Sequence, residues 1–138
     1  VYGPRQYPEK LIPKFILHLY NNEKCTIHGK GLTERSFLYI SDVVDAFDLI
    51  LHKGEIGEIY NIGTRHEYSV MDITKRLVKE IKKNDEINEN IIYIEDMKYN
   101  DKRYSISFNK LLSLGWEQKI FIDEGLKKTI EYYKKYIF

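Results

Sequence analysis

Cationic and amide side chains stand where the sequence predicts that helices or strands begin or end. Lys10 opens a helical pattern, Arg35 opens an extended segment, and Asn61 closes another. Loops at such ends often carry binding groups, helix N-termini favour anions, and arginine presents a planar fork suited to phosphate oxygens. Each residue alone is better explained as a solvated surface charge. Their joint pattern, together with a polar cluster from Asp96 to Arg103, predicts an anion-binding site.

Two patterns that resemble catalytic motifs are rejected on physical grounds. Gly29-Lys30-Gly31 could open a dinucleotide fingerprint, but Glu34 stands where the third glycine should be, and a carboxylate there would repel pyrophosphate. We therefore interpret these glycines as a hairpin turn. Tyr20 and Lys24 have the spacing of a tyrosine–lysine catalytic pair, but they span a predicted helix end in a chain with twelve tyrosines.

Metal binding and nucleophilic catalysis find no support in the sequence. The histidines do not have the spacing of metal ligands, and Cys25 is the single cysteine. A lone cysteine cannot form an intramolecular disulfide, which fits a reducing compartment. We therefore expect no metal and a cytoplasmic location.

Length and charge limit the remaining function classes. At 138 residues the chain is about one domain long. Its 22 basic and 21 acidic side chains nearly cancel, so no global field would attract nucleic acid or an anionic membrane. No apolar run approaches the ~20 residues that cross a bilayer. We expect a single domain, residues 1–138, without nucleic-acid or membrane partners.

Helical and extended patterns alternate along the chain. Apolar residues at helical spacing predict a first helix that ends near Asn21 and Asn22, a second capped by Ser41 and ended by Gly54, and a third capped by Ser69. A short helix closed by Gly115 and a last helix from Asp123 towards Tyr136 follow. The stripe of the second helix comprises Val43, Val44, Phe47, Ile50 and Leu51, and that of the third comprises Val70, Ile73, Leu77 and Ile81.

Strands are predicted between these helices, at 26–28, 35–40, 58–62 and 91–94. The alternation indicates an α/β fold with mixed short strands and flanking helices. Which of the strands run parallel stays open at this point.

Several segments together resemble the C-terminal portion of the nucleotide-sugar 4,6-dehydratases, within the extended short-chain dehydrogenase superfamily. The resemblance covers essentially the whole chain, and its most selective part is Pro8-Glu9-Lys10-Leu11-Ile12-Pro13. The other segments also occur in related decarboxylases and epimerases. They are Tyr2-Gly3-Pro4, Ile27-His28-Gly29-Lys30-Gly31, Arg35 to Val43, Tyr60-Asn61-Ile62-Gly63, Asp101-Lys102-Arg103-Tyr104 and Leu114-Gly115-Trp116.

The resemblance implies a substrate-binding role for residues at matching positions. Lys10 and Leu11 would touch the nucleotide diphosphate, Arg35 would grip the pyrophosphate, and Asn61 would sit beside the nucleotide. The base pocket would be lined by Thr26, Ile27 and His28.

The resemblance also implies a loop that closes over ribose and phosphates. Its residues would be Asp96, Met97, Lys98, Tyr99 and Asn100, with Arg103 just beyond. Met97 stands where arginine is usual and Lys98 where proline is usual. A lysine offers positive charge without bidentate geometry, so phosphate contacts from this loop are expected to differ.

The resemblance further implies a small C-terminal substrate-binding domain of an extended short-chain dehydrogenase, whose N-terminal NAD-binding Rossmann domain lies outside this chain. In such enzymes NAD oxidises the sugar at C4, water leaves across C5 and C6, and hydride returns to C6. The complete protein is expected to be a cytoplasmic homodimer acting on dTDP- or UDP-glucose in deoxysugar synthesis, such as that of rhamnose. This chain alone is expected to lack catalytic residues and activity. Two alternatives stay open: a UDP-glucuronate decarboxylase or 4-epimerase, and a non-catalytic nucleotide-sugar-binding or interaction module.

Overall fold

The computed structural model describes residues 1–96 and 106–135. It contains five α-helices: α1 (Leu11–Tyr20), α2 (Ile40–Lys53), α3 (Val70–Lys82), α4 (Asn109–Ser113) and α5 (Ile122–Lys134). It contains four short strands: β1 (Cys25–His28), β2 (Glu34–Ser36), β3 (Glu67–Ser69) and β4 (Ile91–Ile94). A single 3-10 turn, Ile87–Glu89, precedes β4. None of the helices in these ranges is long and apolar enough to span a membrane.

The strands form two separate two-stranded sheets. β1 pairs in parallel with β4, from Cys25 opposite Ile91 to His28 opposite Ile94. β2 pairs antiparallel with β3, from Glu34 opposite Ser69 to Ser36 opposite Glu67. The predicted α/β fold is confirmed. The predicted hairpin at the glycine turn is wrong, because β1 and β2 take their partners from different sheets.

The main hydrophobic core lies between α1, α3, α5 and β1. The α1 stripe is buried as predicted, and Ile73 and Leu77 of α3 are fully buried. Ser69 caps α3 as predicted: its hydroxyl accepts from the Asp72 amide at 3.0 Å, while Asp72 accepts in return from the Ser69 amide at 3.1 Å. Such a reciprocal capping box satisfies two otherwise unpaired amides.

A smaller apolar cluster joins α2 to α4 and the chain beyond it. Trp116 packs edge-on against Phe108, and its indole N–H donates to the Asp42 carbonyl at 3.0 Å. The Asp42 carboxylate in turn accepts from the Ile120 amide at 3.0 Å. These two bonds hold the chain around residues 116–120 against the start of α2.

α2 differs from its prediction in two respects. It begins at Ile40 with Tyr39 in the N-cap position, so Ser41 is an exposed residue inside the first turn and not the cap. Its predicted stripe is only partly buried: Val43 lies in the smaller cluster, whereas Phe47 and Leu51 are 64% and 81% exposed. The buried side of α2 is centred on Val43 and the small Ala46, and most of the bulky apolar residues project from the adjoining side.

The segment 58–62 was predicted to be a strand and is not one in the structure. It belongs to neither sheet, although β4 matches its prediction residue for residue. Strand formation requires a neighbouring backbone, and no described residue supplies one to this segment.

Candidate functional site

A groove of about 360 Å³ lies where α1, β1, β2 and the start of α3 meet. Four of the predicted site residues line it: Leu11, Thr26, His28 and Arg35. They come from three elements that are separated in sequence by turns and packed together by the main core. The fold therefore gathers predicted binding residues into one cleft.

β1 presents alternate side chains to this groove. Thr26 and His28 line it, while Ile27 between them is fully buried in the main core. Successive side chains of a strand point to opposite faces, so the Ile27 side chain faces away from the groove. The implied contact of this side chain with a bound base is thus corrected to a core-packing role.

His28 carries an unsatisfied polar atom at the groove. Its Nδ1 is buried and has no hydrogen-bond partner among the described residues. Burying such an atom without a partner costs about 1–3 kcal/mol. A ligand that offers a hydrogen-bonding group at this position would remove that penalty.

Arg35 lies between the groove and a second, more apolar groove. Its guanidinium donates to the Glu34 carbonyl at 2.8 Å, and the residue is half-buried. It lines both grooves, the second of which has a volume of about 480 Å³ and includes Leu38, Val43 and Ile62. The fork is therefore placed at the boundary between them.

The start of α1 contributes positive charge. Lys10 is exposed at the N-cap position, next to the lining residue Leu11, while Lys14 lines the groove one turn later. Sequence reasoning missed Lys14, although residues four apart share a helix face. Lys14 and Arg35 exceed the one lining carboxylate, Glu9, so the groove is suited to an anion.

The remaining predicted residues are not gathered in the groove. Asn61 is exposed, and its amide donates to the Ser107 carbonyl at 3.1 Å, next to Ile62 of the second groove. Asp96 lies against the glycine turn, because a Cβ added at Gly29 would lie 2.6 Å from its carboxylate oxygen. Met97, Lys98, Tyr99, Asn100 and Arg103 lie outside the described residues.

Both rejected motifs are placed unsuitably for their chemistry. The glycine turn leads into β2 and not into a helix, and the Cβ positions of Gly29 and Gly31 face Asp96 and Ile27, so it offers no cradle to a pyrophosphate. The pKa of Tyr20 is raised, chiefly by burial, whereas a catalytic tyrosine base needs a lowered one. The residues described therefore do not fit the phosphate loop of a dinucleotide site.

The fold matches that of the extended short-chain dehydrogenases that act on sugar nucleotides. A dTDP-glucose 4,6-dehydratase from Bacillus anthracis, solved with NAD, superposes with TM-score 0.87 and 35% identity over 97% of this chain and 42% of its own. A UDP-glucose 4-epimerase from Thermotoga maritima, solved with UDP-glucose, gives TM-score 0.88 and 34% identity over 99% and 44%. The model of the NAD dependent epimerase/dehydratase family matches residues 1–63.

Sequence relatives identify the branch of this class. The chain is 52% identical to the dTDP-D-glucose 4,6-dehydratase of Mus musculus over 98% of its length. It is 47% identical over 96% of its length to a trifunctional Arabidopsis thaliana protein whose name begins with UDP-glucose 4,6-dehydratase. The chain belongs, by homology, to the nucleotide-sugar 4,6-dehydratases. It spans 39% of the mouse relative and 20% of the Arabidopsis one.

Proposed function

We propose that this chain is the nucleotide-sugar-binding part of an NDP-glucose 4,6-dehydratase. The observation that carries the proposal is the cationic groove in which α1, β1 and β2 bring Leu11, Thr26, His28 and Arg35 together. The homology to 4,6-dehydratases names the chemistry of the ligand, a sugar joined to a nucleoside diphosphate.

The groove divides into an uncharged and a charged part. Thr26 and His28 offer a hydroxyl and an unsatisfied ring nitrogen for the base, which carries donors and acceptors of its own. Lys14, with Lys10 beside it, and Arg35 offer positive charge to the diphosphate. Asn61 and the segment from Asp96 to Asn100, with Arg103, complete the proposed set around the nucleotide.

Cofactor binding is assigned to a different part of the protein. The relatives' family description and the structure with NAD indicate NAD as their cofactor, yet the described residues here do not fit its phosphate loop. The complete protein would convert dTDP- or UDP-glucose to the 4-keto-6-deoxy sugar nucleotide with loss of water, for deoxysugars such as rhamnose. Residues 1–138 alone would be inactive.

The setting of the complete enzyme is also part of the proposal. A cytoplasmic location agrees with the single cysteine, which is buried and whose pKa burial raises to about 12. A homodimer rests on the resemblance alone.

The binding site is tested by replacing Arg35 in the complete protein. Arg35→Ala removes a charged hydrogen-bond donor and should weaken nucleotide-sugar binding by about 1.5 to 3 kcal/mol, measured by calorimetry with dTDP-glucose and UDP-glucose. Arg65→Ala is the matched control, because Arg65 is exposed and outside the groove lining. Equal affinities for the two variants and the parent protein would refute the site.

A second candidate function is sugar-nucleotide epimerisation or decarboxylation. It is favoured by the equally close superposition on the Thermotoga epimerase. Mass spectrometry of the products decides among the three reactions: a dehydratase product is lighter by one water, an epimerase product has unchanged mass, and a decarboxylase acts on UDP-glucuronate with loss of carbon dioxide. A non-catalytic module would bind the sugar nucleotide and return it unchanged.

A further inference from the structure

Five large apolar side chains are exposed on α2 and on the chain that follows it. We call this set the α2 face: Val44, Phe47, Leu51, Ile56 and Ile59, each more than half exposed. Single exposed apolar residues are ordinary, but clusters of them mark interaction surfaces. The second groove continues this face, because Phe47 and Ile62 both line it and lie on either side of the cluster in sequence.

Residues 59–63 leave their backbone polar groups without partners. Among the residues that the structure describes, none of their amides donates to a backbone carbonyl and none of their carbonyls accepts from a backbone amide. The segment is nevertheless held in place by side chains. Lys110 pairs with Glu58 and lies 5.3 Å from the centre of the Tyr60 ring, and Asn61 bonds to Ser107. It thus resembles a strand positioned before its neighbour is present.

Together, α2 and this segment have the composition of half of a sheet layer. A helix with an apolar stripe, a four-residue connection and a β-patterned segment form the αβ part of a doubly wound fold. In such folds the strands lie inside the sheet and helices cover its faces. A stripe and a strand that are both exposed therefore require a sheet from another part of the protein.

We infer that the α2 face packs against an α/β domain of the same polypeptide, and that residues 58–62 join the sheet of that domain as an additional strand. The inference rests on the proposed function for the identity of that domain, the cofactor-binding one. The relatives supply the occupant, because more than half of each lies beyond the part matched here: the chain covers 39% of the mouse protein and 42% of the Bacillus one.

The inferred interface has a consequence for the site. Arg35 lines the second groove, which borders the α2 face, so the docked domain would lie directly beside the guanidinium. A diphosphate held by Arg35 would then have its sugar at the boundary between the two domains. Asn61, which lies within the joining strand, would be fixed by the same contact.

Hydrogen exchange in the complete protein tests the inference. The amides of residues 59–63 should exchange at least roughly 100-fold more slowly than in an unstructured peptide, because ladder hydrogen bonds protect them. The double substitution Phe47→Asp and Leu51→Asp should abolish that protection. Protected amides in α3, around Leu77, would show that the variant is still folded.

Leu32→Asp is the matched control, since Leu32 is also exposed but lies on a loop outside the α2 face; it should leave the protection of 59–63 unchanged. Free exchange at 59–63 in the complete protein would overturn the inference. Protection that disappears on dilution would also overturn it, in favour of a second copy of the chain. Neither outcome depends on Arg35→Ala, so nucleotide binding and domain docking can fail separately.

Discussion

Helices α2 and α3 have similar length and comparable apolar patterns, yet they use those patterns differently. α3 buries Ile73 and Leu77 completely between α1 and α5. α2 buries Val43 and Ala46 but exposes Phe47 and Leu51. An apolar stripe thus shows that a helix face favours burial, but it does not show which part of the protein covers that face.

The two N-termini repeat the contrast. α3 begins with a complete capping box formed by Ser69 and Asp72, whereas α2 begins at Tyr39 without any side-chain cap. A helix that depends on local signals is readable from sequence. A helix positioned by its neighbours, here by the bonds of Asp42 to Trp116 and Ile120, is not.

The largest expected effect comes from truncating one leucine in each helix of the isolated chain. Leu77→Ala should lower the free energy of unfolding by about 2–5 kcal/mol, because it removes buried methyl groups and leaves a cavity. Leu51→Ala should change it by less than about 0.5 kcal/mol, since Leu51 is 81% exposed. Urea denaturation measures both. Similar losses would abolish the distinction between the two faces.

The caps give a smaller effect. Ser69→Ala removes the hydroxyl that accepts from the Asp72 amide and should cost about 1 kcal/mol of unfolding free energy. Ser41→Ala is its counterpart in α2 and should be nearly neutral, because Ser41 is exposed and does not cap the helix. A comparable cost at Ser41 would restore it as a cap.

The smallest effect is a dependence of stability on pH that is specific to α3. The Ser69 hydroxyl, donating at 2.7 Å, is the main cause that holds the pKa of Asp72 below its usual value. A carboxyl with a lowered folded-state pKa stabilises the fold above its unfolded value, about 3.9, and that contribution is lost as pH falls through the folded value.

This pH dependence can be measured with Asp72→Asn. The difference in unfolding free energy between the parent chain and this variant should be constant above about pH 5 and shrink below about pH 4. In a Ser69→Ala background the shrinkage should largely disappear, because the main bond to the carboxylate is gone. A difference that stayed constant down to pH 2 would contradict the lowered pKa.

Local signals predicted much of the fold and part of the site. The extents of α1 and β4 and the cap at Ser69 follow from periodicity, β-branched composition and a short-range hydrogen bond. Lys14 was missed because nothing in the sequence shows which lysines of α1 face a groove. Ile27 was assigned to that groove because a run of three residues was treated as one surface, although strand side chains alternate.

The sequence by itself determined where helices and strands could form and which residues carry the chemistry for a diphosphate, since both depend on side chains within a few positions of one another. Only the tertiary structure decided that β1 pairs with β4 and β2 with β3, that His28 and Arg35 share one groove, and that the α2 face is exposed. Those outcomes depend on contacts between residues far apart in the chain, and short-range patterns do not encode them.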